Sequence, residues 1–190
     1  MNKSGKKSTT QPEDRRVQRT RKLLSDALVS LILEKGYDQV SIQDIIDRAN
    51  VGRSTFYLHY ENKEQLLLWG HEHLKKLIVQ EGDREINFLD FYHHLVERRQ
   101  LARAVLAQES GQVVTQYLND VISQNILRLH APAEGAAREE RTLVALRAAA
   151  AAAAVVRFMT AWLTADMPCS AETMANESAR AIRRILGHDS

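Results

Sequence analysis

The stretch VSIQDIIDRANVGRSTFYLHYENKEQLL, residues 40–67, decides the fold. Ser41 stands directly before Ile42, Ile45, Ile46 and Ala49, whose spacing of three and four residues marks one face of a short helix. Asp44, three residues after Ser41, can complete a box-like cap in which each side chain satisfies the other's backbone N–H. Asn50 and Gly52 tolerate the left-handed backbone region, so a tight turn is expected there. A second short helix, residues 53–59, follows. Val51 and Phe56 would pin it against Ile45 and Ile46, leaving Arg53, Ser54, Thr55, Tyr57 and His59 around its outward surface. A capped helix, a turn and a second helix with a polar face are what reading DNA in the major groove demands. Arg53 is long enough for a guanine edge or a phosphate, Thr55 can serve either, and Tyr57 offers a hydroxyl to phosphate. Lys63, in the first turn of the next helix, can reach the same backbone, supported by that helix's amide ends. Two short helices and a turn also recur in all-helical proteins of other kinds. Charge helps to separate the two readings.

The chain has 190 residues and a net charge of only +2, spread unevenly. Residues 1–22 hold eight basic residues (Lys3, Lys6, Lys7, Arg15, Arg16, Arg19, Arg21 and Lys22) against Glu13 and Asp14, a net +6, which leaves −4 for the remainder. A basic arm on a mildly acidic body suggests a polyanion contacted at one end. With 44% apolar residues and a single cysteine, Cys169, the chain should fold without a disulfide, and a cytoplasmic location is expected. Cys169 as a thiol sensor is the alternative use of that residue. The start lacks the apolar run of an export signal. No uncharged apolar run approaches ~20 residues, because Arg147 and Arg157 bracket the seven alanines 148–154, so no membrane partner is expected.

Proline is scarce and apolar residues repeat at three and four almost throughout, which makes this an all-α chain. Residues 1–14 read as a disordered basic arm, 15–61 as a three-helix DNA-binding domain with the helix-turn-helix, and 62–190 as a larger helical domain. Leu24, Ala27, Leu28 and Leu31 mark the first helix, ended after Lys35 by Gly36. Later helices are expected at about 62–81, with Leu66, Leu67, Gly70, Leu74, Leu77 and Ile78 inward, and at about 88–107, broken by Ser110 and Gly111. Three more are expected at 112–130, at about 137–165, and from the cap Ser170 to Gly187 with Ala175, Ala179, Ile182, Ile185 and Leu186 on one face.

The run EKGYDQVSIQDIIDRANVGRSTFYLHYENKEQLL, residues 34–67, resembles the amino-terminal domain of the TetR family of bacterial transcriptional regulators. The match covers about residues 15–69. It rests on Gly36-Tyr37, Ser41, Ile45, Ala49-Asn50-Val51, Thr55-Phe56-Tyr57, His59-Tyr60 and Asn62-Lys63-Glu64. Asn50 stands where the family usually has glycine, and Gly52 where a serine or threonine often caps the recognition helix; both replacements suit the turn. The resemblance implies that Ser41, Arg53, Ser54, Thr55, Tyr57, His59 and Lys63 contact DNA, with His59 open to a packing role instead. It further implies a homodimer formed through the last two helices, binding a palindromic operator in double-stranded DNA, and an unknown small-molecule effector held by the carboxy-terminal domain. A repressor released by that effector is the expected function. The alternative is a co-activator or adaptor of the same fold that binds a protein partner rather than DNA, and a third reading is an architectural dimer without effector.

Effector contacts are sought at Trp69, His73, Phe91, Tyr92, His94, Tyr117, Arg157, Phe158 and Met159, although aromatic residues at helical spacing also serve as core. His71, His73, His93 and His94 point in different directions on a helix, so no metal site and no cofactor are expected. No nucleophile elbow or phosphate loop occurs, and an enzyme is not expected. The alanine run leaves two readings open, a close contact between helices or space for a bulky ligand.

Overall fold

The computed structural model describes residues 12–70, 78, 86–106 and 110–187. Among them are nine α-helices and one 3₁₀ turn, with no strand. The amino-terminal unit comprises α1 (Pro12–Lys35), the turn Tyr37–Gln39, α2 (Ile42–Ala49), α3 (Arg53–His59) and α4 (Lys63–Gly70). The body comprises α5 (Leu89–Glu97), α6 (Arg99–Leu106), α7 (Ser110–Leu129), α8 (Arg138–Thr164) and α9 (Ala171–Leu186).

Helix α1 runs from Pro12, where a missing N–H costs nothing. Residues 12–14, expected to be unstructured, are therefore helical, while residues 1–11 lie outside the described residues. The expected face is buried, with Leu24 and Leu28 at 0% and 2% exposure. It packs on α2, and α1 also meets α4 and α6. Leu66 and Leu67 of α4 are buried and Ile78 is helical and fully buried, but Leu74, Leu77 and the expected helix end near 81 lie outside the described residues.

The helix expected at about 88–107 is two. It breaks at Arg98, whose backbone leaves helical values at φ −109° and ψ 25°. No glycine or proline marks that break in the sequence; α6 turns away to pack against α1, α7 and α8. Helix α7 starts at Ser110 rather than 112, and Gly111 is buried where a Cβ would come within 2.8 Å of the Leu106 carbonyl oxygen. Glycine there lets the start of α7 press against the end of α6.

Helix α8 answers the alanine question on one side. Ala148, Ala151 and Ala152 are fully buried, in line with Val155, Val156, Met159, Trp162 and Leu163, and this face packs against α7 and α9. Methyl groups let two neighbours approach closely without loss of side-chain entropy. Ala149, Ala150 and Ala153 are exposed on the other side, beside Leu143 and Leu146, themselves 44% and 63% exposed. The same helix is long and apolar enough to cross a membrane by length and composition, contrary to the expectation from Arg147 and Arg157. Seven alanines between the two arginines raise the mean hydropathy of the segment, and its buried face marks it as the core helix of this body.

The inward ridge of α9 is Ala171, Met174, Ser178, Ile182 and Leu186, whereas Ala175, Ala179 and Ile185 of the expected face are only half-buried. Ser178 belongs to that ridge because its hydroxyl lies 2.8 Å from the buried Tyr92 hydroxyl of α5. Trp162 donates from Nε1 to the Cys169 carbonyl at 2.9 Å and so ties α8 to the turn before α9. Replacing Ala151 with Leu should lower stability by about 1–3 kcal/mol, because the extra volume has nowhere to go. Denaturant unfolding measures this, and an unchanged midpoint would contradict the packing described.

Candidate nucleic-acid interface

The turn and both its helices are fixed by local chemistry. Ser41 Oγ accepts the Asp44 N–H at 3.1 Å, while the Asp44 carboxylate accepts from the Ser41 N–H at 2.8 Å and from its hydroxyl at 2.6 Å. Lys35 lies 2.9 Å from the same carboxylate. Hydrogen bonds from Ser41, joined by Lys35, hold Asp44 well below the usual carboxylate range. Ser41 is thereby occupied as a cap. Asn50 takes the left-handed conformation, φ 52° and ψ 49°, and the Val51 N–H donates to the Ile46 carbonyl at 3.1 Å. Gly52 caps α3 at φ −72°, a value open to any residue, and a Cβ there would meet nothing closer than 3.8 Å. A serine would fit.

Helix α3 has seven residues, of which Phe56 is fully buried and Tyr60, just beyond, is 4% exposed. Arg53, Ser54, Tyr57 and Leu58 are exposed, and Thr55 and His59 are half-buried. The Arg53 guanidinium donates to Gln43 Oε1 at 2.9 Å, so the first turn of α3 is aimed by α2. Two residues not singled out from sequence belong to this surface. Gln43 orients Arg53, and Leu58, 79% exposed, presents an apolar side chain where a thymine methyl could be met. An exposed leucine in the middle of a polar face was the available signal.

Lys63 sits differently from the free contact expected. Its ammonium donates to the carbonyls of Val40 at 2.9 Å and Tyr37 at 3.2 Å and lies 4.4 Å from the Tyr37 ring centroid. The lysine therefore clamps the turn before α2, with one of its three N–H groups left over. Tyr37 in turn donates to Glu64 at 3.0 Å, and its burial pushes the phenol well above its ordinary value. Across α1 and α2, the Arg48 guanidinium donates to both Glu34 oxygens and to Ser30 Oγ, each at 2.7 Å. That hydrogen bonding holds the Glu34 carboxyl at about 2.

Beside the end of α3, Arg21 of α1 lies 6.0 Å from the Trp69 ring, and Trp69 meets Tyr60 at 6.3 Å. Burial, and then the charge of Arg21, lowers the His59 pKa. As pH falls through 6.5, the unfolded chain takes up a proton before the folded one, so His59 withdraws stability on the acid side. Arg15, Arg16 and Arg19 are exposed farther up α1.

Of the residues sought for an effector, only Phe91, His94 and Met159 are brought together around one cavity. Trp69 belongs to the amino-terminal unit, as just described. Phe91 and Tyr92 are buried, Tyr92 meeting Trp162 edge-on at 5.4 Å, and burial pushes the Tyr92 phenol up to about 12. Phe91, His94 and Met159 line a cavity of only about 40 Å³. Tyr117 is half-buried, Arg157 and Phe158 face outward, and His73, like His71, lies outside the described residues. His93 lies 3.0 Å from Glu172, on α9 rather than its own helix.

The arrangement is that of a helix-turn-helix, and relatives share it. The segment 24–68 matches the family model described as bacterial regulatory proteins, tetR family. Over that segment the chain is similar to the tetR family of bacterial regulatory proteins. An uncharacterized HTH-type regulator of Bacillus subtilis strain 168, YxbF, is 44% identical over 64 residues, 33% of this chain and 17% of that protein. The dhaKLM operon activator DhaS of Lactococcus lactis is 38% identical over 50 residues, 26% of this chain and 27% of the activator. The chain thus spans less than a third of the length of either relative. A solved TetR-family structure from Syntrophomonas wolfei aligns over 90% of this chain and 96% of its own at a TM-score of 0.60 and 19% identity, so the TetR-like fold extends through the body.

Because Lys63 clamps two carbonyls, Lys63→Met should lower the stability of the amino-terminal unit by about 1–2 kcal/mol. Thermal unfolding reads this, and a variant as stable as the parent would show that the clamp carries no weight.

Proposed function

We propose that the protein is a homodimeric transcriptional regulator that reads a palindromic operator with α3 and releases it on binding a small molecule. The observation that carries this reading is the outward face of α3, where Arg53, Ser54, Tyr57 and Leu58 are exposed on a helix seated by Phe56. Arg53 and Leu58 are suited to base edges, with Ser54, Thr55, Tyr57 and the remaining Lys63 donor suited to phosphates. The exposed arginines of α1 add a sequence-independent attraction to the backbone. Bound across a promoter, such a dimer blocks transcription, so repression is the mode we favour. A reducing, DNA-containing compartment, the cytoplasm, suits the exposed free Cys169.

One seven-residue helix reads too few base pairs to select a site, and two-fold symmetry supplies the second half-site about 34 Å away. The second apolar face of α8, with Leu143, Leu146 and the outward alanines, is the surface we assign to the dimer, joined by α9. Its small side chains permit close helix approach, as its buried side already shows.

Mobility shifts on the chain's own promoter at about 100 mM salt test the reading. Specific retention is expected, and Arg53→Ala should reduce discrimination against a changed half-site base by about 1–3 kcal/mol. Leu146→Asp should split the dimer in sedimentation and with it weaken retention. Binding that ignores sequence, or a dimer indifferent to Leu146→Asp, would refute the corresponding part.

A further inference from the structure

A sizeable space lies away from the aromatic residues of the body. A cleft of about 440 Å³ opens between α1, α4 and the junction of α5 with α6, the place where the DNA-reading unit meets the body. That volume lies in the range of small-molecule sites, which the cavity of about 40 Å³ beside Phe91 and Met159 does not reach. Leu28, Leu66 and Leu67, at 2%, 0% and 3% exposure, contribute to its apolar lining. Gly70 lets α4 approach α1 closely at one end, since a Cβ there would come within 3.1 Å of Ser25 Oγ. A second lobe of about 290 Å³ shares Val29, Leu33, Arg98 and Leu101 with the first and adds Glu97 and Arg99.

Charge in the cleft is one-sided once its pairs are removed. Asp26 at the rim is held by Lys22 at 2.6 Å, and Ser30 is engaged by Arg48 and Glu34. His94 lines the inner lobe. In the outer lobe two arginines face one glutamate, leaving a net positive charge. Arg98 occupies the break between α5 and α6, lines both lobes, and its guanidinium has no hydrogen bond or ion pair among the described residues. An unpaired guanidinium beside an apolar floor is complementary to a molecule with a hydrocarbon body and one anionic head.

We infer that this cleft binds a small amphipathic acid, its apolar body in the inner lobe and its carboxylate on Arg98. Such a ligand touches α1 on one wall and the α5–α6 junction on the other. It would therefore act as a wedge between the reading unit and the body, changing where α3 is held in a dimer. This last consequence rests on the regulator reading; the binding itself does not.

Calorimetry of the full chain with decanoate, and with decyltrimethylammonium as a cation of the same chain length, tests the site. Saturable binding of decanoate and none of the cation is expected. Arg98→Gln, at an exposed position, should weaken decanoate binding about tenfold or more, with Arg98→Lys recovering part of it. Absence of saturable decanoate binding below its micelle concentration, equal binding of both head groups, or indifference to Arg98→Gln would each overturn the inference. Decanoate should also release the promoter duplex. Arg98-dependent binding without release sustains the site and contradicts the effector-controlled regulator, so the two failures are distinguishable.

Discussion

Seven residues do not make a stable helix in water, and everything α3 can do depends on the burial of Phe56. Its ring stands edge-on to Tyr57 at 5.4 Å and tilted to Tyr60 at 5.9 Å, so burial of one side chain orients the aromatic residues that flank it. The floor it rests on is held from several directions. Ser41 and Asp44 cap α2, Lys63 ties the preceding turn to α4, and Arg48 locks α2 onto Glu34 and Ser30 of α1. The polar groups around the motif thus divide into those that fix the helix and those left exposed to meet a ligand. Ser41 and Lys63 fall mainly in the first set, Arg53, Ser54, Tyr57 and Leu58 in the second.

The body follows a different principle, close approach through small side chains. Helix α8 buries alanines against α7 and α9 and shows a second row of alanines, with Leu143 and Leu146, to solvent. A helix with two apolar faces suits a position between a core and a partner. The result is a body whose interior offers little room: Tyr92, Ser178 and Trp162 knit α5, α8 and α9 together where aromatic residues had suggested a pocket. A cleft of about 440 Å³ opens at the junction with α1, which also connects the body to the reading unit.

Much of this was legible in the sequence, for physical reasons. The cap at Ser41, the left-handed Asn50 and the anchor Phe56 are local signals, dictated by residue type and short spacing. The all-α class and nearly all helix positions followed from apolar periodicity. Three features were not legible because they arise from tertiary packing. The break at Arg98 has no local breaker, and the ridge of α9 includes Ser178 only because Tyr92 stands opposite. The Lys63 ammonium turns inward because two carbonyls more than twenty residues away in sequence come within reach. Leu58 shows the opposite case, a residue whose exposure alone gives it meaning.

The central claim is that α3 enters the major groove twice, on one face of the duplex. Methylation interference with dimethyl sulfate tests it most directly, because guanine N7 lies in the major groove and adenine N3 in the minor groove. The account predicts interference at guanine N7 in two patches whose centres lie about one helical turn apart, with adenine N3 methylation tolerated at the same positions. Interference confined to adenine N3, or a single patch without its symmetry mate, would contradict it.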